Sequence, residues 1–458
     1  MKKNFKRVLS AALVIVMLFT AFPAAFAFGS KETDYTIISP YEQVDWNTWK
    51  TYKANLHAHC DASDGDPTLD EMVEEYYKAD YDILAMTDHG VITNGWTSER
   101  ETNGIFNKFR KVYPMSEENY ERITKGLDRG GRGMTDIRGG IECNMAVISK
   151  THVNGYFTTY GQGEWGIEND YRTAPVEIEK AGGYSVLNHV GDWVDSGRFP
   201  HRSHWNVYIA YFAGIFIDCP SCLGMEIVNN TDRVTRGDRE LWDELLQVVI
   251  PKGRNIWAFA DDDSEKLNEV GRSFEFFVLP ENNEANVKKA MKDGNFFAAS
   301  KYYKTTDGVG DQYVQGYLDE GDFDGDGNVP LVTGIKVDQK ANTITVATDP
   351  TRDCRVIEWI ADGKVIATGN TIDLNDYEKD LGCYIRFQMK GSGGVTYSQP
   401  FELQYKGRID KPVPNWALWV FKTEAGQKFM KFYHSHSFAL GALIAEKIRI
   451  LIEDNIKK

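Results

Sequence analysis

Cysteine is scarce in this chain. Six are spread over 458 residues, and Cys219-Pro-Ser-Cys222 is their one CxxC pair. The lack of a second such pair argues against a four-cysteine structural zinc site. A local disulfide between Cys219 and Cys222 is expected if the chain is exported. Cys354 and Cys383 fall in a later β-rich stretch where they could staple two strands, and connectivity is open. Positive charge is also in deficit: 52 Lys and Arg against 67 Asp and Glu leave a formal charge of −15. That balance works against unassisted binding to nucleic acid or anionic membranes. Long apolar runs are missing after the first 27 residues. The tail over 438–456 carries Leu440, Leu443, Ile444, Ile448, Leu451 and Ile452 at roughly helical spacing, but Glu446, Lys447 and Arg449 interrupt it and exclude a conventional membrane span.

The first 27 residues stand apart from the fold. Lys2, Lys3, Lys6 and Arg7 precede an apolar run over 11–22, and Ala25-Phe26-Ala27 offers small residues at the cleavage positions. This is the pattern of a secretory signal peptide. The expected location is therefore secreted or extracytoplasmic, or membrane-anchored if the leader stays uncleaved. Its removal takes away four cations, shifting the formal charge from −15 to −19.

Histidine numbers only nine, yet five of the nine form an ordered series with acidic partners. The series runs Leu56-His57-Ala58-His59, Ser63-Asp64-Gly65, Thr87-Asp88-His89, Gly140-Ile141-Glu142, His152 and Asn188-His189. Residues two apart on a strand face the same way, so His57 and His59 can address one ion. Later candidates close apolar, β-branched runs and precede Gly or polar loops, so ligands from several strand ends converge on one rim. Mixed imidazoles and carboxylates suit zinc, manganese or iron, where an all-oxygen set would suit magnesium or calcium. Cys60 and Cys143 each follow a candidate ligand. Small buried thiols are expected there, with thiolate ligation as the alternative. His434-Ser-His436 has no acidic company and is left out.

At these residues the chain resembles the PHP family, the polymerase and histidinol phosphatase type of metal-dependent phosphoesterase. The resemblance covers roughly residues 41–300, through LHAHCDASDG at 56–65, YDILAMTDHG at 81–90, GGIE at 139–142, HVNGYF at 152–157, SVLNHV at 185–190, GMEIVNN at 224–230 and WAFADDDSE at 257–265. It implies two to three neighbouring divalent ions. His57, His59, Glu142 and an Asp of the 261–263 run would surround the first, Glu142 would bridge to a second held by His152 and His189, and Asp64 and His89 would serve a third. The family's last motif usually reads Asp-x-His, whereas here Glu265 stands where histidine is expected. The register among Asp261, Asp262 and Asp263 is open by one residue; Asp263 keeps the spacing to Glu265, and Asp262 stays a candidate. The resemblance also implies a distorted seven-stranded (β/α)7 barrel.

Alternating apolar runs and helical patterns over 41–305 agree with an α/β fold whose site lies at strand C-terminal ends. Leu69–Lys78 is predicted as a helix opened by Pro67-Thr68, and 286–293 as another ended by Gly294. The phosphoesterase domain is expected over 28–317. Long insertions lie between 91 and 138, and between His189 and Glu226. The latter holds Arg198, His201 and Arg202, candidates for binding substrate phosphate, with solvated loop residues as the alternative. An acidic linker or calcium loop is expected over 318–330, where Asp322, Asp324, Asp326 and Asn328 alternate, although Thr333 occupies the twelfth position that Glu usually takes. Short alternating segments with an Asp362-Gly363 turn predict a β-sandwich-like domain over 331–405 that folds apart from the barrel. A helical tail over 406–458 packs on it, with surface association or oligomerisation as the alternative.

The expected function is an exported phosphoesterase acting on a small phosphorylated substrate through metal-activated hydroxide. Glu142, Asp263 and His189 are its central residues, and Asp88 orients an imidazole or relays a proton. The alternatives are a metal-dependent amide or lactone hydrolase and a catalytically weak metal- or phosphate-binding module.

Overall fold

A computed structural model describes residues 35–100, 112–144, 150–164, 166, 170–194, 206–231, 235, 237–301, 328–407 and 415–433. The leader, Arg198, His201, Arg202, Asp322, Asp324, Asp326 and the tail beyond 433 lie outside these residues; Asn328 is exposed.

The chain opens with β1 (Tyr35–Ile38) and β2 (Lys50–Asn55), followed by α1 (Leu69–Lys78), β3 (Ile83–Ala85), α2 (Glu117–Lys125), β4 (Thr135–Ile137), β5 (Ile141–Cys143) and β6 (Val153–Tyr156). Next come α3 (Thr173–Lys180), β7 (Tyr184–Leu187), α4 (Val190–Val194), α5 (Asn206–Asp218), β8 (Cys222–Asn229), α6 (Asp238–Val249) and β9 (Trp257–Asp261). Strands β10 (Ser273–Leu279) and β11 (Phe296–Ser300) flank α7 (Glu284–Asp293).

Helix α1 has the predicted bounds because its start is doubly specified. The Thr68 hydroxyl accepts from Glu71 N–H, and the Glu71 carboxylate accepts from Thr68 N–H, a capping box. Met72, Val73 and Tyr76 form its buried face. Helix α7 starts two residues before the predicted 286, with the Asn283 side chain accepting from Asn286 N–H, and ends at Gly294, whose φ of +79° suits glycine.

The described residues form a mixed α/β structure of several sheets, and the strand ladders do not close a barrel. Parallel β2-β3-β4 belong to an eleven-stranded sheet that continues through β10 and β11. A second sheet runs β5-β6-β7-β8-β9, antiparallel at β5-β6 and β6-β7 and parallel at β7-β8-β9. Three single bridges lie where the ladders stop among the described residues: Ala58 with Ser264, His89 with Glu142, and Thr93 with Gly140.

The later strands are β12 (Val332–Asp338), β13 (Thr343–Thr348), β14 (Val356–Ala361), β15 (Lys364–Thr368), β16 (Thr371–Asp373), β17 (Tyr384–Gly391), β18 (Gly394–Tyr397) and β19 (Phe401–Tyr405), followed by α8 (Asn415–Lys422) and α9 (Glu424–Tyr433). The Asp362-Gly363 turn joins β14 to β15 with positive φ at both residues, 47° and 74°, as an I′-type hairpin requires.

The expected separateness of 331–405 needs correction. Strand β18 pairs with β11 and with β17, and β19 pairs with β1, so these strands extend the large sheet itself. Ile344, Val346 and Ile372 of the three-stranded sheet β12-β13-β16 share one buried cluster with Phe297, Trp359 and Phe387. Alternation identifies the apolar face of a strand and is silent about its edge partner. Buried Arg386 on β17 also grips Asp243 on α6, with Nε–Oδ1 at 2.8 Å and Nη2–Oδ2 at 2.7 Å.

The expected disulfides are absent. All six cysteines lie among the described residues and none is joined in one. In the antiparallel β14-β17 ladder Val356 faces Lys390, which puts Cys354 and Cys383 at opposite ends. Cys219 and Cys222 are buried thiols, pushed up by burial to about 11 and about 12.

A chain cut after residue 317 loses β17 and β18 from beside β11. It is expected to aggregate or to lack a cooperative melt, because an apolar edge is opened. A soluble, monomeric truncated protein melting at the full-length temperature would contradict the shared sheet.

Candidate metal centre

His57 and His59 follow the end of β2, held between the ends of β9 and β3. Leu56 N–H donates to Asp261 Oδ1 at 2.6 Å, His59 N–H to Ser264 O at 3.0 Å, and Thr87 N–H to Ala58 O at 2.8 Å. Their rings therefore project to one side, with centroids 5.1 Å apart.

Glu142 on β5 stands at the centre. Its Oε1 lies 3.3 Å from His57 Nε2, 3.3 Å from His152 Nδ1 and 3.5 Å from His189 Nε2. Its Oε2 lies 3.3 Å from His59 Nε2 and 3.1 Å from His89 Nδ1. Asp263 Oδ1 lies 3.1 Å from both His57 Nε2 and His59 Nε2. At the solvent edge, Asp64 meets His59 Nδ1 at 3.5 Å and His89 Nε2 at 3.4 Å.

Three sets of donor atoms each fall within 4.8 Å: His57, His59 and Asp263; His59, Asp64 and His89; His89, Glu142 and His152. The sequence-predicted His57, His59, Asp64, His89, Glu142, His152, His189 and Asp263 are thus brought together. His189 touches Glu142 without joining a set. The buried nitrogens His57 Nε2 and His89 Nδ1 face this space without a hydrogen bond, and such lone pairs with adjacent carboxylates suit a divalent cation.

The electrostatics follow from burial opposed by partners. Burial disfavours charge on His59 and His189, but the facing carboxylates outweigh it and lift them to about 10 and about 9. Burial likewise opposes ionisation of Glu142, and the imidazoles of His89, His57 and His152 hold it well below the usual carboxylate range. His152 differs: burial prevails and its ring is pushed down, which keeps a lone pair available. Two of the converging residues adopt left-handed backbone, His189 with φ +28° and Asp263 with φ +45°. Such conformations are uncommon outside glycine and need support from their surroundings.

Other candidates fall elsewhere. Asp262 points away from the site, accepting from Gly271, Arg272 and Ser273 N–H at 2.6–2.9 Å and from Tyr81 OH at 3.0 Å. It anchors the loop before β10. Asp88 does not orient the His89 ring as expected. It accepts from Cys60 N–H and Ser63 Oγ, both at 2.8 Å, and meets Arg100 Nη1 at 3.3 Å, so it braces the loop that carries Asp64. Buried Cys60 belongs to the same brace, its thiol donating to Asp88 Oδ2 at 3.1 Å. Glu265 is exposed and belongs to none of the three sets. The chain turns outward after Ser264, with Glu265 N–H donating to Glu269 Oε2 at 2.9 Å.

Sequence reasoning missed Asn188, whose Nδ2 donates to Glu142 Oε1 at 2.7 Å. Its adjacency to His189 was the one available signal.

No family model and no curated protein matches the chain. Among solved structures it is similar to a two-domain protein from Bacteroides vulgatus containing a predicted PHP-like metal-dependent phosphoesterase, at 14% identity and TM-score 0.39, over 83% of this chain and 92% of that one. It is similar to the lesion-specific endonuclease PfuEndoQ from Pyrococcus furiosus at 12% identity and TM-score 0.32, over 53% and 56% of the two chains. An amidohydrolase from Chromobacterium violaceum is similar at 13% identity and TM-score 0.26, over 46% and 87%. At these values none of the likenesses fixes what the chain binds.

Neighbouring acids should separate cleanly. Asp262→Asn is expected to cost about 1.5–3 kcal/mol in urea unfolding by weakening hydrogen bonds to a carboxylate, with metal content unchanged. Asp263→Asn and Glu265→Ala should differ in metal analysis, the first losing bound metal and the second keeping it. Loss of metal in Glu265→Ala, or its retention in Asp263→Asn, would reverse the assignment.

Proposed function

We propose that this chain is an exported, metal-dependent phosphoesterase acting on a small phosphorylated substrate at a di- or trinuclear site. The observation that carries this is Glu142, whose two carboxylate oxygens are divided among five imidazoles. Zinc, manganese or iron suits the donor set. Divalent ions held there would supply Lewis acidity, making hydroxide accessible near neutral pH and neutralising charge on the ester oxygens.

The chain's own residues supply placement. His57, His59 and Asp263 would hold one ion, His152 and His189 another beside it, and Asp64 with His89 a third at the open edge, with Glu142 between them. The phosphoester choice is supported by the ordered motifs from His57 to Asp263. It also agrees with net charge, since an anionic ester approaching a chain of charge −15 needs local cations. Export is supported by the basic and apolar pattern of the first 27 residues.

A distorted seven-stranded barrel belongs to the same reading. If the single bridges Ala58–Ser264 and His89–Glu142 count as closures, β2, β3, β5, β6, β7, β8 and β9 form one ring. The converging residues then sit around its rim.

Glu142→Gln is the direct test, with a panel of phosphomonoesters, phosphodiesters, amides and lactones. Removing a partner of a metal ligand typically costs 10–100-fold, so loss of a shared ligand should cost at least about 100-fold in phosphoester turnover, with lower metal content and a cooperative melt retained. Full activity in this variant, turnover resistant to chelation, or hydrolysis of amides or lactones alone would sink the proposal.

A further inference from the structure

Glu226 belongs to none of the three donor sets, yet it is fully buried behind them, touches two of the segments that converge on the site and reaches a third through Asn229. Its Oε1 lies 2.6 Å from His57 Nδ1. Its Oε2 accepts the backbone N–H of His189 at 2.7 Å and Asn229 Nδ2–H at 3.0 Å. Asn229 also donates to Asp263 Oδ2 at 3.1 Å. One carboxylate therefore connects His57 on the β2 side, His189 after β7 and Asp263 after β9.

The chemistry of these contacts is directional. An ionised carboxylate only accepts, so the His57 nitrogen facing Oε1 must carry the hydrogen. A neutral imidazole protonated at Nδ1 has its lone pair at Nε2. That nitrogen is the one turned toward Glu142 and Asp263, at 3.3 Å and 3.1 Å, and it is buried without a hydrogen bond. The second oxygen addresses a different need. His189 adopts a φ of +28°, and an acceptor at its N–H secures that uncommon backbone.

We propose that Glu226 is a positioning residue that holds His57 in its Nδ1–H tautomer and, through the His189 N–H and Asn229, aligns His189 and Asp263 with it. This rests on reading the cluster as a metal centre. The residue acts through other ligands, so its removal changes affinity for the ion before it changes anything else.

Glu226→Gln is informative because it keeps the shape and alters donor count. If the amide oxygen stays with His189 and Asn229, the NH2 group faces His57 Nδ1 and drives the ring hydrogen to Nε2, where it blocks the lone pair. If the amide turns over, its NH2 opposes two N–H groups. Either way His57 loses its setting. Glu226→Asp keeps the acceptors on a shorter side chain.

The test is zinc titration of the full chain after chelator treatment, in competition with a chromophoric chelator, together with 15N NMR of labelled histidine. Expected are Nδ1–H at His57 in zinc-loaded wild type, a 10–100-fold loss of zinc affinity in Glu226→Gln, and a smaller loss in Glu226→Asp. Wild-type affinity and stoichiometry in Glu226→Gln would overturn the proposal. If that variant does not fold, wild-type NMR decides, and zinc ligation of His57 through Nδ1 overturns it equally. No divalent-metal binding by wild type would instead remove the metal-centre reading beneath it.

Discussion

A carboxylate with 1% exposure is costly unless charge or hydrogen bonds compensate it, and Glu142 is such a group. Five imidazoles and the Asn188 amide surround its two oxygens. The compensation is mutual, because the rings are themselves desolvated and are stabilised by the carboxylates they face. No single segment could supply this environment. It requires the ends of β2, β3 and β7, the start of β6 and β5 itself to arrive at one place. The left-handed backbone at His189 and Asp263 is a local cost of that convergence, offset by packing and hydrogen bonding around it.

Behind the donors lies a layer of groups that do not face the central space. Glu226 and Asn229 hold His57, His189 and Asp263 from below, while Asp88, Arg100 and Cys60 hold the Asp64 loop from the side. These groups differ in what they can fix. A carboxylate against a ring nitrogen sets a tautomer, whereas Asp88, bonded to a backbone N–H and a hydroxyl, sets the path of the chain. Rigid placement by such contacts is what a candidate metal centre needs.

What was legible in the sequence was what local spacing decides. The His-x-His pair, the capped helix α1, the Asp362-Gly363 hairpin and most later strands follow from side-chain period and turn chemistry within a few residues. The converging residues were legible as a group because histidine is rare and five of the nine form an ordered series with acidic partners. Direction was not legible. Asp262 and Asp263 are adjacent and chemically alike, yet one accepts three backbone N–H groups from the 271–273 loop and the other faces His57 and His59. Edge pairing was hidden for the same reason, since the contact between β11 and β18 joins residues about a hundred positions apart.

The shared sheet bears on the site through β9, the strand that leads to Asp263. One edge of β9 pairs with β8. Along it, side chains also take up backbone groups: the Gln399 amide bonds Ala258 N–H and O at 2.8 Å and 2.9 Å, Glu275 accepts from Ala260 N–H at 3.1 Å, and Asn55 accepts from Asp262 N–H at 2.9 Å. Asp261 returns the contact by accepting from Leu56 N–H. Buried backbone groups must be paired, and here side chains do what a neighbouring strand would otherwise do. That explains why the ladder stops between β9 and the β2 side: polar side chains fill the seam and hold the strands apart until Ala58 and Ser264 meet beyond it. Next to that bridge Asp263 adopts left-handed backbone beside His57 and His59. Gln399 links this seam to the later strands, so the region after residue 331 helps to hold the strand that delivers one of the site's central carboxylates.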